Sequence, residues 1–505
     1  MNSAKVRNVR LSDREFHRIR NEEVLPQWET GKAIADLNQC IAIASELSAE
    51  KNHAERFLAA KRDGQHILIP QFGKALTELM IEGINYVENE TDLVPHGAWN
   101  LYSDSYTRKM EYGKAAVGIE RSRKEGMSML NGWPIVNFGV DEARKITRAS
   151  KLPLHFVTCD EDARLASDIA LAAGWTANSV TSLQECIAHS KTITLEDEIR
   201  LMQYDARLAA IYEENGVPQC PWNTTHLTGY DSAGYHSFVH VTEAVLAAEQ
   251  GVKCQYLSHG IGMNLVQDIA MIRVSERLCY EYCARFGHHD VEFVTGTFPF
   301  LGAWPPRDDE ANAMIAWNTI IPVMGGIPGV ILKCQDEAFA TPTKEGMARS
   351  VRLARHLLTV MGTQRIPESE ALWLEEKMIE WEVRTLLDKC LELGDGDMAI
   401  GLCRGVDAGW IDTMVTPWKY NPGKVLLVRD ADNAVRYLDS GNIPLPSEVK
   451  EYHREKIAER ERRFACHANL DLVIKDIQFA STLPPSPGTG RVGDASPSGD
   501  IYAHR

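Results

Sequence analysis

The chain has 505 residues, 44% of them apolar and 25% charged, with a formal net charge of −16 at pH 7. That length buries a sizeable core, and the balance is that of a soluble globular protein, predicting one large catalytic domain with terminal elaborations. The acidity runs along the whole chain and excludes a nucleic-acid or anionic-membrane surface, and no apolar run reaches the ~20 residues of a membrane span.

Residues 1–60 are polar, with Asp36 to Leu47 apolar at helical spacing, and predict an N-terminal helical extension packed on the main domain. From there strand-like runs alternate with helical ones. The strands expected are His66 to Pro70, Asp92 to Pro95, Ser128 to Leu130, Leu152 to Val157, His226 to Gly229, Lys253 to Leu257, Val291 to Val294 and Gly329 to Leu332. Helices are expected over Ala163 to Ala173, Ser237 to Gln250 and Val266 to Arg285. Eight strands alternating with helices over roughly 280 residues predict an α/β fold, a (β/α)8 TIM barrel over 61–362, rather than an open sheet. A long helix, Glu368 to Leu393, then opens a smaller C-terminal α+β unit over 363–480, with Val425 to Arg429 and Ala434 to Leu438 joined in a hairpin. Residues 481–505, rich in Pro, Gly and Ser, read as a disordered tail.

The most informative stretch is Gly329-Val330-Ile331-Leu332-Lys333 with Glu337 and then Pro342-Thr343-Lys344-Glu345. A β-branched run bounded by glycine reads as a strand buried on both faces, and a lysine ending it sits where barrels gather their chemistry. A rim salt bridge without chemistry fits these residues as well. Polar or small residues recur at the other strand ends: Gln71 and Gly73, Asn131 and Gly132, Thr158 and Cys159, and Thr295. In a barrel these ends converge on one pocket. Arg108 is a candidate grip for a substrate carboxylate, because a guanidinium fork matches that anion; a solvated surface arginine is the alternative.

Eleven cysteines, odd in number and irregularly spaced, with no apolar N-terminal signal, predict reduced thiols in a cytoplasmic protein. Cys279 and Cys283 near His288 and His289 match no zinc pattern and read as helix packing. The glycosylation pattern Asn223-Thr224-Thr225 then carries no meaning. No Gly-x-Gly-x-x-Gly follows the first strand, and Walker, His-Glu-x-x-His and Gly-x-Ser-x-Gly motifs are missing, which removes the support for nucleotide-phosphate, metalloprotease and hydrolase readings.

From about Asp13 to Ala480 the chain resembles the large, epsilon-type subunit of coenzyme B12-dependent glutamate mutase, also called methylaspartate mutase. The matching stretches include Leu130-Asn131-Gly132-Trp133-Pro134 with Val136-Asn137-Phe138-Gly139-Val140, Ala173-Gly174-Trp175-Thr176, Val266-Gln267-Asp268-Ile269-Ala270, Pro342-Thr343-Lys344-Glu345 and Val435-Arg436-Tyr437-Leu438. The resemblance implies a barrel that closes over adenosylcobalamin, a homodimer of large subunits within a heterotetramer, and a small sigma-type subunit whose Asp-x-His-x-x-Gly motif ligates cobalt. No such motif occurs in these residues. It further implies that Lys333 and Glu337 contact the adenosyl group in a catalytic and cofactor-binding role, and that Asn131 belongs to the substrate pocket.

The family's recognition shell is altered here. Of three arginines that hold glutamate only Arg108 remains; an alignment anchored on Pro70 and Gly73 puts Gln71 at the first, and Val157 stands at the third. Ser179 replaces the carboxylate beside the substrate amine, and Glu185 and His189 replace two tyrosines. Loss of two cations weakens a dicarboxylate site, since each charge-assisted hydrogen bond contributes roughly 1.5–3 kcal/mol. Three readings stand: a mutase acting on a glutamate-like acid such as a 2-oxo or modified analogue, a mutase acting on glutamate itself, and a non-catalytic barrel that binds a small acid or a partner protein.

Overall fold

The structure, a computed structural model, describes residues 5–157, 162–225 and 231–480. Seven parallel strands carry it: β1 (Ile67–Phe72), β2 (Trp99–Tyr102), β3 (Leu154–Val157), β4 (Trp222–Thr225), β5 (Cys254–Gly260), β6 (Glu292–Phe298) and β7 (Gly329–Leu332). They lie in the order β3-β2-β1-β7-β6-β5-β4. The two edges of this sheet meet on one short segment: His155 of β3 bridges Ala177, and Ser179 bridges Trp222 of β4, both in parallel sense. Val180 N donates to Trp222 O at 2.9 Å, and Trp222 N to Asn178 O at 2.7 Å. Residues 177–179 are thus the eighth stave, and the ring is a (β/α)8 barrel.

The strands run apolar because both their faces are covered. Ile67, Ile69, Trp222, Tyr256, Val294 and Ile331 fill the interior, while Leu68, Phe72, Val330 and Leu332 face the helical layer. Tyr256 takes so much of the interior that a Cβ on Gly296 would stand 1.7 Å from its hydroxyl, and one on Gly329 2.2 Å from it. Only glycine fits at either place.

The N-terminal helices wrap the outside of the barrel, and Phe57 from the helix His53–Asp63 joins the interior core. Arg20 and Asp168 form a buried ion pair that ties this extension to the helix Arg164–Ala172. At the other end the helix Glu370–Leu393 and the antiparallel hairpin of β8 (Leu426–Arg429) and β9 (Val435–Asp439) share one hydrophobic core with the barrel helices Ala233–Glu249 and Leu265–Arg285. The first of those two helices is therefore buried along nearly its whole length. No helix among the described residues is long and apolar enough to cross a membrane.

Two strand expectations need correction. Asp92 to Pro95 is loop, and the strand forms later at Trp99–Tyr102; proline offers no N–H to a ladder. Ser128 to Leu130 is a turn tied by its own Ser128 hydroxyl, which donates to Leu130 O at 2.8 Å. The stave at 177–179 was not anticipated. His226 to Gly229, Thr158, Cys159 and the tail 481–505 lie outside the described residues. Cys279 and Cys283 are buried in core packing, and Asn223 is buried on β4 with its amide donating to His240 O.

Candidate active site

At the C-terminal ends of the strands lies a cavity of about 240 Å³. Its wall includes Gln71, Arg108, Asn131, Val157, Ser179, Glu185, His189, Lys333 and Glu337. Gly73, Gly132 and Thr295 are set back from the wall; a Cβ on Gly73 would lie 2.6 Å from the Tyr102 ring, so the glycine lets Tyr102 reach the cavity.

Each side chain is delivered by local chemistry. Lys333 directly follows β7, and the 3-10 turn Gln335–Ala338 brings Glu337 back over it, with Lys333 Nζ 2.7 Å from Glu337 Oε1. Asp336 fixes that turn by accepting from Thr343 N at 2.8 Å and Thr343 Oγ1 at 2.7 Å. The Lys333 ammonium lies 5.6 Å from the Trp304 ring centroid. Arg108 sits on the one-turn helix Thr107–Lys109, shaped by Asp104, whose carboxylate accepts from Tyr106 N at 2.9 Å and from the Thr107 hydroxyl. Arg108 Nε donates to Ser103 O at 3.1 Å, and Arg108 forms no ion pair with a carboxylate among the described residues. Its terminal nitrogens are thereby available to an anion.

Asn131 does two things at once. Its Oδ1 accepts from Ser105 N at 2.9 Å, pinning the loop that carries Arg108, while the residue lines the cavity. Gly132 beside it passes so near that an added Cβ would stand 2.3 Å from Ser103 O. The opposite wall comes from the short helix Leu183–Ala188, where Thr181 Oγ1 donates to Glu185 Oε1 at 3.0 Å and His189 Nε2 lies 4.0 Å from Glu185 Oε2. Glu243 holds the start of that helix, accepting from Ser182 N at 2.8 Å and Gln184 N at 3.1 Å, and burial pushes its carboxyl up to about 7.

Residues 47–483 match the family described as methylaspartate mutase E chain (MutE). The chain belongs to that family. It is 37% identical over 477 residues to the glutamate mutase epsilon subunit of Desulfitobacterium hafniense (strain Y51), covering 93% of this chain and 96% of the relative. The glutamate mutase epsilon subunit of Escherichia coli O157:H7 is 34% identical, covering 94% and 98%, and that of Haloarcula marismortui is 32% identical, covering 97% and 98%.

As a mutase E chain the protein is an isomerase. Beside Gln71 its pocket also contains Asn100 and His155, which sequence patterns do not single out. Gln71, Asn100 and His155 stand side by side on β1, β2 and β3, each in register with the next. Asn100 and His155 are fully buried in this cavity wall, with His155 Nδ1 3.1 Å from Asn100 Oδ1. The His155 ring lies flat on Trp222, centroids 3.8 Å apart and planes 7° apart. Burial holds the His155 pKa well below 6.5, with the nearby His53 adding to the effect, so the ring is uncharged. Nothing in the linear sequence relates these three positions; only the strand register does.

Proposed function

We propose that this E chain is the large, substrate-holding subunit of an adenosylcobalamin-dependent carbon-skeleton mutase acting on glutamate or a glutamate-like acid such as a 2-oxo or modified analogue. The observation that carries the reading is that Lys333, Glu337 and Arg108 line one cavity. Such a site can hold an acid and a nucleoside against each other.

The residues suit the nucleoside end of that cofactor. Lys333 offers a charged donor and Glu337 a charged acceptor, a pair that two neighbouring ribose hydroxyls can engage. When bound, adenosylcobalamin supplies one-electron hydrogen-transfer chemistry that side chains do not provide. The chain's own task is position and enclosure. Arg108 anchors one carboxylate, Asn131 keeps its loop in place, and Phe298, Leu301 and Pro342 shield the space from water. Holding the substrate's reacting carbon near the Lys333–Glu337 pair sets the distance for hydrogen transfer.

The corrinoid falls to a second protein, because this sequence has no Asp-x-His-x-x-Gly motif. A small sigma-type subunit supplies it, and this chain acts as a homodimer within a heterotetramer in the cytoplasm. Residues 61–362 form the catalytic unit, 1–60 an extension that steadies it, and 363–480 a supporting unit. The test combines this chain with a sigma-type subunit, adenosylcobalamin and L-glutamate, and follows 3-methylaspartate by NMR. Turnover that requires all three partners supports the reading. Failure with glutamate and with its 2-oxo and amidated analogues defeats it.

A further inference from the structure

We infer that the floor of the cavity receives an uncharged, hydrogen-bonding group, so that the substrate carries one carboxylate and a neutral carbonyl end such as a carboxamide or ketone, and not two carboxylates. The inference rests on reading this cavity as the mutase's substrate site.

Depth comes from position in the fold. Gln71, Asn100 and His155 are on the strands themselves, whereas Arg108 and Asn131 come from loops beyond the strand ends, so the row of three lies beneath the rim. All three are uncharged. Asn100 Nδ2 is buried and has no hydrogen-bond partner among the described residues. A buried N–H without an acceptor is costly, and a ligand carbonyl entering at this level would satisfy it. Stacking on Trp222 fixes the plane of the His155 ring beside Asn100.

The cations argue the same way. Among the described residues Arg108 and Lys333 are the cavity's only arginine and lysine, and Lys333 is engaged by Glu337. The two stretches that follow β3 and β4 in the chain, 158–161 and 226–230, contain neither residue type. One carboxylate therefore has a partner in Arg108. A second, on the floor, would meet the uncharged groups of Gln71, Asn100 and His155. Burying an unpaired carboxylate is far more costly than burying a neutral carbonyl. Burial also disfavours a charge on His155.

Calorimetric titration of the full chain with three matched pairs decides the matter: L-glutamate and L-glutamine, 2-oxoglutarate and 2-oxoglutaramate, glutarate and glutaramate. The expected result is that at least one neutral-ended compound binds, and that each one that binds does so about tenfold or more tighter than its dicarboxylate partner. A dicarboxylate that binds as tightly as its partner overturns the inference. So does failure of all three neutral-ended compounds to bind at about 10 mM. In the variant Asn100→Leu, checked for folding by its thermal transition, the neutral-ended ligand loses about tenfold while butanoate, which has only the carboxylate, is held unchanged. Equal losses for both would also count against it, and if the variant does not fold, the ligand pairs decide alone. Binding needs neither corrinoid nor partner subunit. Preference for a dicarboxylate together with turnover of glutamate would sink the inference and spare the mutase reading, whereas preference for the neutral end without turnover would do the reverse.

Discussion

Lys333 and Glu337 divide one ion pair unequally: the lysine side chain is 7% exposed and the carboxylate 32%, with 2.7 Å between Nζ and Oε1. The buried member depends on the exposed one. Glu337→Gln keeps the shape and removes the charge, and is expected to lower kcat about ten- to a hundredfold, the worth of a hydrogen bond between charged groups. On the proposal that the pair faces the nucleoside end, substrate affinity, measured by calorimetry, should change less than about threefold. Equal effects on both would remove Glu337 from that role.

Arg108 is anchored through Nε to Ser103 and makes no ion pair among the described residues. Arg108→Ala should weaken carboxylate binding about ten- to a hundredfold, and Arg108→Lys should recover only part of it, since an ammonium lacks the two-pronged geometry. Unchanged titration curves would place the arginine outside the site.

The N-terminal extension is fastened by a charge pair buried from solvent. Arg20 Nε reaches Asp168 Oδ2 at 2.8 Å and its Nη2 reaches Oδ1 at 3.1 Å, while Tyr204 OH donates to the same carboxylate at 2.9 Å. Asp168→Ala strands a buried guanidinium and should cost about 3–5 kcal/mol in urea unfolding. Hydrogen exchange should rise first over residues 13–48.

The pH dependence of stability follows from two opposed sets of buried groups. His53, His259 and His453 are held at about 3 by burial, and His155 and His240 are also well below 6.5. Their contribution is complete above about 6.5 and is lost as pH falls toward 3. Asp231, Asp268 and Glu382 are raised by burial to about 7, as is Glu243, while Glu198 and Asp205 are pushed well above their usual range. Their contribution is complete below about 4 and is lost as pH rises through the folded values. The urea midpoint should therefore be highest in mildly acidic buffer, between about pH 4.5 and 6.5, and lower at pH 8. Glu198→Gln should raise it at pH 8 and leave it unchanged at pH 4. A midpoint for the unaltered chain that climbs steadily to pH 8 would contradict this account.

Much of the barrel is legible in the linear chain because buried parallel strands are apolar runs bounded by glycine and proline, as at Gly329–Leu332. Trp99–Tyr102 escaped notice because its own pattern, Trp-Asn-Leu-Tyr, places a buried asparagine inside the strand. Residues 177–179 are too short to show any period. Lys333 and Glu337 stand out because a charge ends an apolar run. Asn100 and His155 do not, because a polar residue inside a barrel becomes meaningful only through the neighbour that register gives it.

A ring with one stave of three residues has a seam. Ser179 lies on that seam and on the pocket wall, while Lys333 and Glu337 come from the far side of the ring, beyond a β7 that pairs with β1 along its whole length. Parting of the seam would widen the chamber on the Ser179 side and leave the opposite side, where β7 runs beside β1, in register.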